Sequence, residues 1–566
     1  MEKRNLFRGF WTLFKAYWAS EEKWRAIGLL AVVIALNLLM VWFLVQINQW
    51  YNEFYNALQE YKSDSFWPLV GQFTGLAFCY IIIAVYSVYL RQLLEIRWRT
   101  WMTRQYLDSW MAGQTYYRLQ DSTDNPDQRI SEDIGSFVGV TLQLIIGFLR
   151  QLTTLAAFSL VLWELSGEFR LEFGGDEFSI PGYMFWFSLI YSVAGTFLVH
   201  KVGRKLIGLQ FDQQRYEADF RFSMMRVREN AESIAFYRGE ASELEGFGAR
   251  FKSVIENFRR LMTKTKHLNF YVNGYGQTAV IVPLILAAPK YFRNEIQLGG
   301  LMQTVSAFGR VQDALSFFVE SYATIAGLAA VINRLSGFTE HMEQVQKVQS
   351  RVEKSTAPEF TVSDLNVTLP TGRELLKKLS LSLGNSRALL VTGASGCGKS
   401  TLLRTLAGIW AYASGKISLP ENSRVMFLPQ KPYLPLGTLR RALVYPKAEA
   451  DAPPDSQLQE ILRAVDLPQL TEKLDVADDW TRILSGGEQQ RLAFARVLLV
   501  APEFIFLDEA TSALDEPREL EMYRLLKEKL PSATIVSVGH RSTLFEVHDT
   551  ELNLDGTGGW RVREVG

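Results

Sequence analysis

Up to about residue 335 the chain alternates long apolar runs with charged stretches, and beyond that point the runs shorten to the length of buried strands and amphipathic helices. This pattern predicts a membrane part followed by a soluble part. The clearest run, residues 27–47, holds no charged side chain and has the roughly 20-residue length that crosses a bilayer core as a helix. It is too long for a cleaved leader and lacks a small-residue cleavage site. Residues 69–90, 137–163, 182–199, 276–292 and 305–331 are further candidates, the last carrying Arg310, Asp313 and Glu320. A six-helix transmembrane domain over residues 27–335 is therefore expected. Ahead of it Phe7, Phe10, Trp11, Phe14 and Trp18 recur at helical spacing with Arg8 and Lys15 off that face. That arrangement predicts an N-terminal interfacial helix within residues 1–26, lying along the membrane lipid.

Loop charge tests the count of spans. Lys3, Arg4, Arg8, Lys15, Lys23 and Arg25 precede the first run, and segments 91–135 and 200–273 are also rich in Arg and Lys. Segment 48–68 has a single basic residue, and 164–180 has Glu164, Glu168, Glu172, Asp176 and Glu177 against Arg170 alone. Basic loops stay in the cytoplasm, so six spans place the N-terminus and the soluble half on that side. Over all 566 residues the formal net charge is +0, which argues against a dedicated nucleic-acid binder. Cys79, in an apolar run, and Cys397 are the two cysteines; they make no disulfide framework and suit a reducing compartment for the second half.

After a linker at residues 336–357, residues 358–566 read as an α/β P-loop nucleotide-binding domain. A buried strand, a glycine-rich turn and a helix follow one another around "GASGCGKST", that is Gly393, Ala394, Ser395, Gly396, Cys397, Gly398, Lys399, Ser400 and Thr401. In that context the spacing makes a phosphate cradle: the glycines let backbone N–H groups approach the phosphates, Lys399 reaches the β and γ oxygens, and Ser400 offers a hydroxyl to Mg²⁺. Downstream, "FIFLDE" is an apolar strand that ends in Asp508, suited to the Mg²⁺ shell, and Glu509, suited to polarising the attacking water.

The order of these motifs resembles the ABC transporter ATPases: the phosphate loop, Gln430 in "FLPQKPYLPLGTLR", "LSGGEQQRLAFAR", "FIFLDE", "SALD" ending at Asp515, and His540 in "IVSVGHRS". The resemblance implies ATP and Mg²⁺ as cofactors. It further implies that His540 contacts the γ-phosphate, that Gln430 links metal and water to the membrane domain, and that Asp515 lies at a dimer interface. Ser485, Gly486, Gly487 and Glu488 would cover the nucleotide held by the opposite subunit, their helix start offering positive potential. With one membrane half per chain the simplest assembly is a homodimer. One position departs from the family pattern: Leu369 stands where an aromatic residue usually lies under the adenine.

Three membrane-half segments, "QINQWYNEFYNALQ", "NPDQRISEDI" and "ENAESIAFYRGE", are similar to segments shared by peroxisomal fatty acyl-CoA ABC transporters and bacterial peptide-uptake proteins of the SbmA/BacA type. This likeness implies an exporter-type six-helix fold in the bacterial inner membrane, with "ENAESIAFYRGE" in the cytoplasmic coupling region. Asn37, Gln143, Arg150, Gln151, Asn273, Gln277, Arg310, Gln312, Asp313 and Glu320 lie within or beside the spans. Polar groups there face a cavity, a partner or one another. A wet lumen favours hydrophilic cargo: peptides, cobalamin-like molecules or glycopeptide antibiotics, moved as an importer. Two other readings share the same motifs, export of lipidic or drug-like molecules and a membrane-anchored regulatory ATPase without transport.

Overall fold

The computed structural model describes residues 6–119, 125–173, 176–347, 350–383 and 388–565. Lys3, Arg4 and the side chain of Glu320 lie outside what is described. The chain divides into two compact units, Met1–Val345 and Gln346–Gly566.

The first unit is helical: α1 (Leu6–Trp18), α2 (Lys23–Gln59), α3 (Ser63–Met111), α4 (Ile134–Ser166), α5 (Tyr183–Glu229), α6 (Ala231–Tyr237), α7 (Glu240–Phe292), α8 (Leu298–Glu320) and α9 (Tyr322–Lys347). At 47 and 53 residues, α5 and α7 are about 70 to 80 Å long, more than twice a bilayer core of about 30 Å. The expected runs 182–199 and 276–292 fall at one end of each, and the polar continuations stay helical through Gly203 and Gly208 in α5 and Gly246 and Gly248 in α7. Four described helices are long and apolar enough to cross a membrane: α2, α4, α7, and α3 with its short extension to Arg118. The apolar part of α5 is shorter, Tyr183–Gly195. The sixth expected span falls on α8 and α9, which have only Ser321 between them; Ser321 N–H donates to Phe317 O at 2.9 Å and Ile325 N–H to Ser321 O at 2.8 Å. In the acidic loop, β1 (Glu168–Phe173) and β2 (Asp176–Pro181) pair as an antiparallel hairpin.

Part of the aromatic face of α1 packs on protein. Phe14 and Trp18 meet the buried Trp98 of α3 edge-on at 5.6 and 5.7 Å, Tyr17 stacks on it at 5.4 Å, and Phe10 reaches Phe137 at 6.1 Å. Phe7 and Trp11 remain exposed. The helix thus divides its aromatic stripe, Phe10, Phe14, Tyr17 and Trp18 packing on protein while Phe7 and Trp11 face outward.

The second unit holds two large sheets and a short antiparallel pairing of Gly437–Thr438 with Ala477–Asp478. One has four strands, ordered β3 (Arg351–Thr356), β7 (Ala413–Leu419), β4 (Thr361–Thr368), β5 (Glu374–Ser382). The other has six: β12 (Trp560–Glu564), β11 (Thr550–Leu554), β6 (Ala388–Gly393), β10 (Thr534–Val538), β9 (Phe504–Asp508) and β8 (Val425–Leu428). From β11 through β8 the neighbours are parallel, and only β12 runs the other way. Their near-continuous apolar runs fit a sheet covered on both faces. Leu390, Ile505 and Leu507 pack into one core with Leu492 and Phe494, while Leu389, Phe504 and Val536 pack into a second with Leu402 and Val362.

Candidate nucleotide site

Strand order assembles the site. β6, β10, β9 and β8 are adjacent and parallel, in a register that sets Asp508 opposite Val538 and Val538 opposite Val391. Whatever follows these strands therefore emerges along one sheet edge, the usual ligand edge of an open α/β sheet. The phosphate loop follows β6, Glu509 follows β9, His540 comes two residues after β10, and Gln430 two residues after β8. Four motifs scattered over about 150 positions of sequence meet there because the strands that carry them are neighbours.

At Gly393 (φ +139°) an added Cβ would lie 2.5 Å from Leu554 O and 2.8 Å from Cys397 Sγ, so the loop passes too close to β11 for any side chain. The buried Lys399 opens α10 (Lys399–Leu406) and donates back to Gly393 O at 2.9 Å and Ala394 O at 3.1 Å, which holds its ammonium over the loop. Ser400 Oγ donates to Asp508 Oδ1 at 2.9 Å. Burial raises the Asp508 carboxyl above its ordinary value and the Glu509 charge adds to that rise, while the Ser400 hydrogen bond, Arg404 and Lys399 oppose it.

Glu509 is held from two sides. Gln430 Nε2 donates to its Oε2 at 3.0 Å, and His540 Nε2 lies 3.3 Å from its Oε1. Its backbone is left-handed at φ +48°, an uncommon state for a residue with a Cβ, and Glu509 N–H donates to Val538 O at 3.2 Å. The turn that aims the carboxylate is thus tied to the neighbouring strand.

Ser485 is the N-cap of α11 (Gly486–Val500), in a capping box with Glu488. Ser485 N–H donates to Glu488 Oε2 at 2.9 Å, closing the cap, and Gln469 Nε2 holds the other oxygen, Oε1, at 3.0 Å. The Ser485 backbone N–H is the main reason this carboxyl sits below its ordinary value. Among the described residues no hydrogen bond or ion pair joins the Ser485 turn to the phosphate loop of its own chain. Gly486 and Gly487 instead pack against Ala513. Asp515 caps α12 (Glu516–Lys529), accepting from Arg518 N–H at 3.1 Å. Leu369 is half-buried against the second core, and Trp410 donates its indole N–H to the adjoining Thr368 O at 2.9 Å.

Two further residues brace the site and were not singled out from sequence, although both lie inside quoted motifs. The buried Gln490 donates to Gln430 O and Ser512 Oγ, each at 3.1 Å, and accepts from Ala513 N–H at 2.9 Å. Arg541 donates to Leu514 O at 2.7 Å and Ser512 O at 3.3 Å. Together they hold the turn at 512–514 that carries Asp515.

The family model described as ABC transporter transmembrane region 2 matches residues 13–292, and the one described as ABC transporter matches residues 376–512. An ABC transporter ATP-binding protein of Haemophilus influenzae, uncharacterized, is 38% identical over 98% of this chain and 93% of its own length. The chain belongs to the ABC transporters. It is also similar to the inner membrane ABC transporter ATP-binding protein YddA of Escherichia coli, 35% identical over 96% of this chain and 97% of that protein. The human lysosomal cobalamin transporter ABCD4 is 28% identical over 97% of this chain and 94% of its own. A solved bacterial Atm1-family ABC exporter with ATP bound superposes with a TM-score of 0.72 at 16% identity, covering 95% of this transporter and 94% of that chain. The fold is thus of the exporter type expected from sequence. The transporter is a multi-pass membrane protein that binds ATP and couples its hydrolysis to transport. One membrane region and one ATPase per chain make it a half-transporter, related to the D-family members and of a kind that works as a dimer.

Proposed function

We propose that this transporter is a homodimer that imports hydrophilic solutes, peptides or cobalamin-like and glycopeptide compounds, across a bacterial inner membrane with specificity of the SbmA/BacA kind. The observation that carries the cargo reading is a cavity in the membrane unit where Arg150, Gln151, Thr154, Arg310 and Asp313 face Met40, Val41 and Leu44, charged and polar side chains at mid-span that suit water and polar solute. The name of the cobalamin-transporting relative supports the same class.

In the ATPase, the backbone N–H groups of residues 393–401 and Lys399 hold the phosphates. Ser400 and Asp508 present neighbouring oxygens and Gln430 an amide oxygen, hard donors of the sort Mg²⁺ takes. The remaining ligands would be phosphate and water, as this ion prefers. When bound, Mg²⁺ neutralises charge on the β and γ phosphates. Glu509, positioned by Gln430 and His540, orients the attacking water, and His540 contacts the γ-phosphate. The Ser485–Gly487 turn and Asp515 act at the partner's nucleotide.

Oriented vesicles test the reading. ATP-dependent accumulation of labelled peptides or cobalamin is expected with the transporter oriented for import. Movement of lipidic or drug-like molecules the other way would make it an exporter, and nucleotide turnover with no flux of any solute would make it a regulatory ATPase.

A further inference from the structure

Arg150 stands midway along the apolar run 137–163 of α4, and Arg310 and Asp313 lie one turn apart on α8. All three line one cavity of about 310 Å³ together with Tyr80 and Gln151. Arg150 also borders a second cavity of about 470 Å³, lined as well by Asn37, Ser87, Arg91 and Gln143. Some polar groups here are structural. Asn37 donates to Ser87 Oγ at 2.9 Å and to Val33 O at 2.7 Å, which ties α2 to α3. The arginines differ: among the described residues no hydrogen bond or salt bridge is made by the Arg150 or Arg310 guanidinium, although the Asp313 carboxylate, one turn along α8, acts electrostatically on Arg310. A guanidinium at mid-span that makes no hydrogen bond within its own chain is left to water, to the partner subunit or to cargo, and these two line a cavity. The paired donors of two guanidinium groups suit an oxyanion.

We propose that this cavity binds the oxyanion of the cargo, a carboxylate or phosphate group, through Arg150 and Arg310, with Asp313 limiting how much negative charge the cargo carries. The proposal rests on the reading that hydrophilic solutes cross. It narrows that class to solutes with an anionic group and disfavours cationic ones.

Full-length dimer in nanodiscs is titrated with three fluorescent trialanine probes: one with a free C-terminal carboxylate, its amide, and an amide bearing phosphoserine. The free carboxylate binds about tenfold more tightly than the amide, the range of one charge-assisted contact. R150Q and R310Q each remove that preference, R150K and R310K retain it because they keep the charge, and D313N strengthens it. Preference for the phosphoserine probe alone, with the same arginine dependence, supports the site and identifies a phosphate ester as the anion. Equal binding of carboxylate and amide without a phosphoserine preference, no binding of any probe, or full preference in both glutamine variants overturns the proposal. Vesicle uptake of the same probes separates the two claims. Arginine-dependent binding without uptake overturns transport of hydrophilic solutes and leaves the site, whereas uptake indifferent to both arginines overturns the site and leaves transport.

Discussion

At the scale of single residues, the catalytic proposal stands on Glu509, whose carboxylate lies between Gln430 and His540 at 3.0 and 3.3 Å. Glu509→Gln keeps the phosphate loop and Asp508 intact. It is expected to lower turnover by about 10² to 10⁴, the span of a general base, while equilibrium binding of ATP persists. Near-normal hydrolysis would remove Glu509 from the chemistry. Asp508 gives a prediction of opposite flavour. Its folded value is raised by burial, so between the ordinary and the raised value the folded chain holds a proton that the unfolded chain has lost. Stability contributed by this group therefore falls as pH rises through that window and stays lower above it. Asp508→Asn, carrying no charge to desolvate, should raise the melting temperature of the nucleotide-free protein at neutral pH, yet abolish Mg²⁺-dependent hydrolysis. A lower melting temperature would mean that the carboxylate is stabilised by its neighbours.

At the scale of elements, Glu488 separates a capping role from a phosphate-contacting one. Glu488→Gln can still accept from the Ser485 N–H, whereas Glu488→Ala leaves that donor to water, a loss of about 1 kcal/mol. Thermal melts and nucleotide affinity should rank wild type close to Glu488→Gln and both above Glu488→Ala. Equal damage from both substitutions would point to the charge itself as the working part. The docking of α1 makes a second case. Trp98 is fully buried and touches Phe14, Tyr17, Trp18 and Phe137. Trp98→Ala should cost about 3 to 5 kcal/mol, as for other buried aromatics, and Trp11→Ala, on the exposed face, should cost under about 0.5 kcal/mol. Detergent melts that fail to separate the two would show that α1 is not held by this cluster.

At the scale of the whole molecule, the shared-site proposal is tested by complementation. A chain with Lys399→Ala lacks its own phosphate grip, and one with Ser485→Ala lacks cover for its neighbour's nucleotide, so each homodimer is impaired at both sites. In a mixed dimer one site combines both lesions and the other pairs an intact Lys399 with an intact Ser485. Vanadate-trapped nucleotide is therefore expected in tag-verified mixed dimers at about one site per dimer. If each chain used its own Ser485 turn, the intact groups would never meet and mixing would restore nothing.

Local pattern was enough for several features. The phosphate loop, the strand ending in Asp508 and the cap at Ser485 are contiguous stretches whose geometry follows from glycine freedom, strand periodicity and a hydroxyl one position before a helix. Apolar length alone disclosed the spans in α2, α3, α4 and α7. Tertiary structure decided everything that depends on which elements are neighbours. Strand order β6-β10-β9-β8 is set by pairing between segments far apart in sequence, and it alone brings Gln430 and His540 to Glu509. Gln490 and Arg541 look like ordinary polar residues on the page of the sequence, and their bracing of the turn at 512–514 appears only when α11 packs beside it. The aromatic face of α1 is equally compatible with lipid or protein, and only the position of Trp98 decides between them. Likewise Asn37 and Arg150 are both polar groups in apolar runs. Both border a cavity, but packing gives the first a hydrogen-bond partner in Ser87 and gives the second none among the described residues, a distinction no local pattern contains because it is a property of what lies across from each side chain.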